Sequence, residues 1–357
     1  MKRGVILLGM AVACWSSAQA APPKKKGPKP QWPVANPGFQ QTNFSPSTRN
    51  RLLSGVFGPR LKWGDGRYDH HEGFDFYAFY DEKHPRGDHP VTCILDGVVS
   101  DVIDPPNPER TETGRKVVVT HSVPWSAYGA PRAWGPVKSG YLHLSSIQVQ
   151  VGQKLSAGDV IGAAGATGYT STVHLHLNLY RAGGRDVNVN PARVFQPSLF
   201  PQAVVPIHKR TVEVQWLERD VAGGTAVARV LLPYNAYTLD GFVFEVGKDK
   251  RRAVSFEHVS AELRKQRDRG DADLFPSLRL YPLRYNGGGS LESVNQRNVP
   301  RGWPLSRHAP AGGSGVRLAF DVEATDVPED AKSFELTVFG VGGEKVTVKA
   351  RGFQHVR

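Results

Sequence analysis

The 357-residue sequence predicts an all-β protein, and three observations carry that expectation. Short runs of β-branched, leucine and aromatic residues recur, as in "VTCILDGVVSDVI", "KVVVTHSV" and "TVHLHLNLY". Such runs are the signal of strands that are buried on one or both faces. Glycine, proline, Asp-Gly and Gly-Asp punctuate them at short intervals, where turns belong. Apolar residues spaced for a helix face are nearly absent, with one exception near residue 260.

The elements follow in chain order. "MKRGVILLGMAVACWSSAQAA" has a basic start at Lys2 and Arg3, an apolar run from Gly4 to Ala13, and a small-x-small site at Ala18-Gln19-Ala20. That pattern predicts a signal peptide over residues 1–20, too short to span a bilayer. Cys14 raises a minor alternative, a lipid anchor, although Ala11 is a poor match for the aliphatic residue such motifs favour. No later stretch is apolar enough to be a transmembrane segment, so the mature chain is expected to be exported, to the periplasm or outside the cell. Residues 21–49 begin "APPKKKGPKPQWP"; proline, lysine and glycine dominate, and the segment is expected to be an extended, mobile tether.

Residues 50–200 are expected to form a first β domain, with "PPNPERTETGR" and "PWSAYGAPRAWGPVKSG" as long polar loops. Proline-spaced "NPARVFQPSLFPQAVVP" marks a boundary near residue 200. Residues 205–357 are expected to form a second, β-sandwich-like domain from "TVEVQWLE", "TAVARVLLPY", "GFVFEVG", "GVRLAFDVEA" and "SFELTVFGV". Within it "VSFEHVSAELRKQRDRG" predicts the one helix: Val259 and Leu263 are four apart, and Gly270 closes it.

Lysine and arginine outnumber aspartate and glutamate 45 to 33, giving a sequence pI near 9.7. That surplus favours an anionic partner such as a wall polymer, a membrane surface or nucleic acid. Export, and the lack of a recognisable reader motif, argue against nucleic acid. If Cys14 leaves with the signal, Cys93 is the only cysteine, and its setting in "VTCILDGVV" predicts a small buried hydrophobe.

The candidate chemistry begins at His174 and His176, two residues apart in "TSTVHLHLNLY". Alternate residues of a strand share a face, so both imidazoles project together while Leu175 and Leu177 face the other way. Taken alone, an H-x-H pair is more often two polar residues on the wet face of a strand. A second motif changes that balance: "HEGFD" sets His71 and Asp75 in the spacing H-x-G-x-D, with Gly73 offering a turn that lets both converge. Two histidines and an aspartate are zinc-type ligands, and three of them leave a fourth position open for chemistry. His143, between leucines in "SGYLHLSSI", is a third element; beside a zinc site it is placed to orient water or stabilise an oxyanion.

These motifs together resemble the lysostaphin- or LytM-type zinc metallopeptidases, a family of peptidoglycan endopeptidases. The landmarks are "HEGFD", "DGVV" at Asp96 to Val99, "KVVVTHS", "YLHLSSIQVQVGQKLSAGDVIGAAGATG", "HLHLNLY" and "VNP", in that order over about residues 55 to 195. The resemblance implies an antiparallel β-sheet catalytic domain with His71, Asp75 and His176 as ligands of Zn2+. It implies His174 as the general base and His143, in the Y-x-H-L position, as its catalytic partner. The glycines of "GDVIGAAGATG" are expected to make the tight turns leading to the H-x-H strand, since their spacing is wrong for a dinucleotide site.

The sequence departs from the family in places. "YDEKHPRGDHP" adds polar length, "STV" stands before H-x-H in place of the usual glycine-proline pair, and Asn178 stands where an acid is common. His84, His89 and His121 receive no role. The implied function is hydrolysis of peptide bonds in peptidoglycan stem peptides or cross-links. Two alternatives are a non-catalytic regulator that activates another wall hydrolase, and a zinc peptidase acting on a protein substrate. The basic clusters "GKDKRR" and "RKQRDRG" make an envelope protein partner for the C-terminal domain a further expectation.

Overall fold

A computed structural model describes residues 27–35, 53–61, 68–78, 80–170, 172–181, 187–196, 199–200, 207–233, 236–247, 250–269, 277–285 and 317–351. The segment expected to be a signal peptide, with Cys14, lies outside the described residues.

The N-terminal half contains β1 (Leu53–Gly55), β2 (Gly58–Leu61), β3 (Tyr68–His71), β4 (Phe74–Tyr77), β5 (Pro90–Thr92), β6 (Gly97–Ile103), β7 (Arg115–Pro124), β8 (Pro136–Leu144), β9 (Ser146–Ile147), β10 (Lys154–Leu155), β11 (Val160–Ala163), β12 (His174–Arg181) and β13 (Val187–Val189). The C-terminal half contains β14 (Glu213–Asp220), β15 (Thr225–Pro233), β16 (Leu239–Val246), β17 (Lys250–Ser255), helix α1 (Phe256–Arg269), β18 (Leu278–Tyr285), β19 (Arg317–Ala324), β20 (Ser333–Gly340) and β21 (Lys345–Arg351). The all-β expectation holds, with antiparallel pairing throughout the named strands.

The main sheet runs β1-β4-β12-β8-β7-β6-β10, with β13 against β12. β12 is central, between β4 and β8, and this places its histidines beside the β3–β4 turn. His176 stands opposite Asp75 of β4 and opposite Leu142 of β8, while His174 stands opposite Tyr77. The alternation predicted for β12 is observed: Leu175, Leu177 and Leu179 are fully buried in the core. Full burial of such a side chain contributes about 1.5–3 kcal/mol, so a one-residue slip of β12 would forfeit several kcal/mol and turn both imidazoles away from the site.

A smaller sheet, β5-β11-β9, and a β2-β3 pair flank the main one. Gly162 and Gly165 serve the β11 region through close approach rather than through turns. A Cβ at Gly162 would overlap the Ser146 carbonyl, and one at Gly165 would overlap the Ser145 amide. Of the four glycines in that run, Gly158 and Gly168 have the left-handed backbone of a turn, at φ 96° and 86°.

In the C-terminal half, β14-β15-β19-β18 and β17-β16-β20-β21 form two four-stranded sheets. Their facing sides meet through Phe242 against Phe320, 5.4 Å between ring centroids, and Trp216 against Phe244 at 5.8 Å. Helix α1 occupies the stretch the sequence predicts, with Val259 buried and Leu263 packed on the core. One continuous apolar core runs through both halves, and Phe74 meets Tyr237 across them at 6.0 Å.

The tether expectation is corrected over residues 27–35. Val34 is buried and bridges Val91, Gln31 N donates to Ile94 O at 2.8 Å, and Thr92 N donates to Pro33 O at 2.8 Å. Trp32 packs on Phe76, Phe195 and Phe200 at centroid distances of 4.8, 5.6 and 5.5 Å. Proline-rich chain is already extended, so adding it to the edge at β5 orders few residues, and the Trp32 and Val34 side chains supply the burial. Cys93 is buried as expected; burial raises its thiol pKa to about 11.

Candidate metal centre

The β3–β4 turn and strand β12 bring three atoms together. His71 Nε2 lies 3.0 Å from Asp75 Oδ1 and 3.0 Å from His176 Nδ1, and His176 Nδ1 lies 2.8 Å from Asp75 Oδ1. His71 Nδ1 donates to the carbonyl of Val56 at 2.8 Å, which leaves Nε2 of the neutral ring as a lone pair. Burial, followed by the Arg60 charge, lowers the His71 pKa to about 4, so the ring is neutral at physiological pH. The lone pair of His71 Nε2 therefore faces the Asp75 Oδ1 carboxylate oxygen in a buried space, an arrangement that a cation relieves. Chemically the set is two imidazoles and one carboxylate, the donor types zinc takes, so the residues present fit such an ion.

His174 and His143 stand beside this triad. His174 Nε2 lies 3.4 Å from Asp75 Oδ1, and its Nδ1 donates to Thr172 O at 2.8 Å. His143 Nδ1 donates to Thr167 O at 2.7 Å, and its ring centroid lies 5.0 Å from that of His174 and 5.8 Å from that of His176. His143, His174 and His176 also offer one nitrogen each within 4.8 Å of one another. All five residues expected from the sequence thus meet at one place.

Electrostatics follow from burial and proximity. Burial would lower the His174 pKa, but the Asp75 charge and its hydrogen bonds outweigh it and raise the pKa. Burial would raise the Asp75 pKa, but the neighbouring His71 and His174 hold it well below the usual carboxylate range. Burial lowers the His143 pKa to about 3, with His176 and His174 adding to the effect. His143 also carries φ 62°, a left-handed backbone rarely adopted outside glycine, and its amide donates to Thr113 O at 3.1 Å. Strain of this kind persists where surrounding bonds hold it, and it concentrates at functional sites.

Residues 69–191 match the model of peptidase family M23. The match spans about a third of the chain. A glycyl-glycine endopeptidase, ALE-1 of Staphylococcus capitis, is 30% identical over 144 residues, which is 38% of this chain and 32% of the relative. The peptidoglycan DD-endopeptidase ShyA of Vibrio cholerae is 36% identical over 121 residues, 33% of this chain and 28% of the relative. The chain therefore spans about a third of the length of these curated relatives. Among solved structures, a zinc-containing peptidase from Vibrio cholerae is 29% identical, with 39% of this chain and 35% of that chain covered and a TM-score of 0.28. The catalytic domain of lysostaphin from Staphylococcus simulans is 24% identical, with 42% of this chain and 92% of that chain covered and a TM-score of 0.30.

The M23 segment also relies on residues that the sequence reading passed over. Arg60 on β2 donates from Nη1 to Asp75 Oδ2 at 3.2 Å and grips Asp69 Oδ2 at 3.1 Å through Nη2. Its fork holds the outer oxygen of Asp75 and leaves the inner one to the site. Thr167 Oγ1 donates to Leu144 O at 2.8 Å and accepts from Arg115 N at 3.0 Å, fixing the carbonyl that orients His143. No sequence signal marked Arg60 beyond its place shortly before "HEGFD". The unassigned histidines stay outside the centre: His121 is buried between Leu95 O and Ser139 Oγ, and His84 and His89 sit beside Asp88 and Asp81.

Proposed function

We propose that this protein is an exported zinc metallo-endopeptidase that hydrolyses peptide bonds in the stem peptides or cross-links of bacterial peptidoglycan. The observation that carries the reading is the convergence of His71, Asp75 and His176 within 3.0 Å of one another, with His174 and His143 alongside. The match to the family M23 model and the similarity to two wall endopeptidases support this reaction and substrate class. In this reading residues 50–200 are the peptidase domain and residues 205–357 an accessory β domain.

His71, Asp75 and His176 would hold the metal. A bound zinc ion supplies Lewis acidity, polarising a scissile carbonyl and making water acidic enough to attack near neutral pH. His174 acts as the general base: its Nδ1–H is committed to Thr172 O, so Nε2 faces the site and takes the proton. His143 has its Nδ1–H committed to Thr167 O, so its other nitrogen is the one available to the developing oxyanion. Arg60 keeps Asp75 oriented and charged.

The test is a digest of purified peptidoglycan by residues 21–357, with and without chelator, read as released muropeptides by mass spectrometry. New free amines that vanish with chelator and in His174→Ala support the endopeptidase and name its bond. Absence of cleavage by the folded, zinc-loaded chain would overturn it and favour a regulator of another hydrolase.

A further inference from the structure

The start of α1 brings the C-terminal half against the metal centre. His70 and Glu72, the chain neighbours of His71, are both tied to it. His70 Nε2 donates to Phe256 O at 3.0 Å, and Ser260 Oγ donates to Glu72 Oε1 at 3.4 Å. Glu72 lies in the turn between His71 and Asp75, so the helix grips that turn directly.

The N-terminal half is shaped to receive this contact. Gly58 of β2 pairs with His71 of β3, and its φ of 115° disfavours any side chain. A Cβ at Gly58 would lie within the ring of Phe256, which is itself buried against Phe242 and Phe320. A second anchor lies one residue along the helix. Glu257 receives Arg193 Nε and Nη2 at 2.7 Å each and the amide of Asn190 at 3.0 Å. Two-pronged, largely buried pairs of this kind fix orientation as well as distance.

We propose that the first turn of α1 is a positioning element of the metal centre, setting the β3 end and the turn that carry His71 and Asp75. The C-terminal half is then a structural part of the site rather than an appended binding module. This rests on the metal-ligand reading above. Residues outside the ligand set that orient ligands change metal affinity by about 10–100-fold when altered.

The test is zinc affinity of residues 21–357 by competition with a chromogenic chelator, at a temperature where near-UV circular dichroism shows every variant folded. Ser260→Ala removes the bond to Glu72 and Glu257→Gln removes the charge facing Arg193. Each is expected to weaken zinc binding by about tenfold. Val338→Ala, in the buried face of β20, is the control: it lowers the melting temperature and leaves zinc affinity unchanged. Should Glu257→Gln fail to fold, Arg193→Lys, which keeps the charge but loses the two-pronged geometry, replaces it. Wild-type zinc affinity in the folded Ser260 and Glu257 variants would overturn the proposal. A folded wild-type chain that binds no zinc at all would instead overturn the metal reading on which it rests.

Discussion

At the scale of the residue, the candidate centre depends on side chains outside its ligand set. Arg60 illustrates the point: its guanidinium spans Asp69 and Asp75, so Arg60→Ala leaves a buried carboxylate without its counter-charge. Zinc affinity is expected to fall about tenfold or more, and Arg60→Lys to recover only part of it because an ammonium cannot fork. Chelator competition on the folded variants checks this. Gly165→Ala tests backbone approach in the same way. Its Cβ would collide with the Ser145 amide, and a loss of about 1–3 kcal/mol in denaturant unfolding is expected, with equal stability as the contrary result. That His71, Asp75, His174 and His176 would face one place was legible because strand alternation and H-x-G-x-D spacing are local rules, whereas His143 was marked by the family resemblance. Arg60 and Thr167 were not legible, because their partners lie 15 and 24 residues away and are set by pairing across strands.

At the scale of the element, strands were easier to find than their company. β12, β15, β16, β19 and β20 lie in the runs the sequence marked, since each is rich in apolar and β-branched residues, buried at alternate positions in β20 and at nearly every position in β15 and β16. β18 and β21 were passed over: "LRLYPLRY" is interrupted by Pro282, and "KVTVKAR" is short and charged. The segment 27–35 failed for a related reason, since lysine and proline dominate its composition while its burial rests on Trp32 and Val34. Trp32→Ala is expected to cost about 3 kcal/mol, the low end for an aromatic deletion because the ring is only partly buried. Thermal unfolding compared with Lys29→Ala checks it; equal melting temperatures would mean the strap contributes nothing.

At the scale of the whole molecule, the shared core predicts that both halves unfold together. Phe74 and Tyr237 belong to one apolar cluster, and Arg193 and Glu257 join the halves by a largely buried ion pair. A single calorimetric transition is expected, and its pH dependence follows from two buried groups outside the candidate ligand set. Burial lowers the His121 pKa to about 4, against about 6.5 in an unfolded chain. Between those values the unfolded state binds more protons, so this stability is complete above about pH 6.5 and is lost as the pH falls toward 4. Asp240 has the opposite sign. Burial first, then the Glu257 charge, hold its carboxyl above the usual range, while Ser255 Oγ and the Glu257 amide bond to it. The native state then binds the extra proton, and stability declines as the pH rises from about 4, the unfolded carboxyl value, through its raised one. Asp240→Asn keeps a polar group of the same shape and needs no proton, so it is expected to melt higher than wild type at pH 8 and to differ little at pH 4. His121→Gln should flatten the acid limb alone. A wild-type melting curve that splits in two, or an Asp240→Asn variant that gains nothing at pH 8, would contradict this account of how the halves are joined.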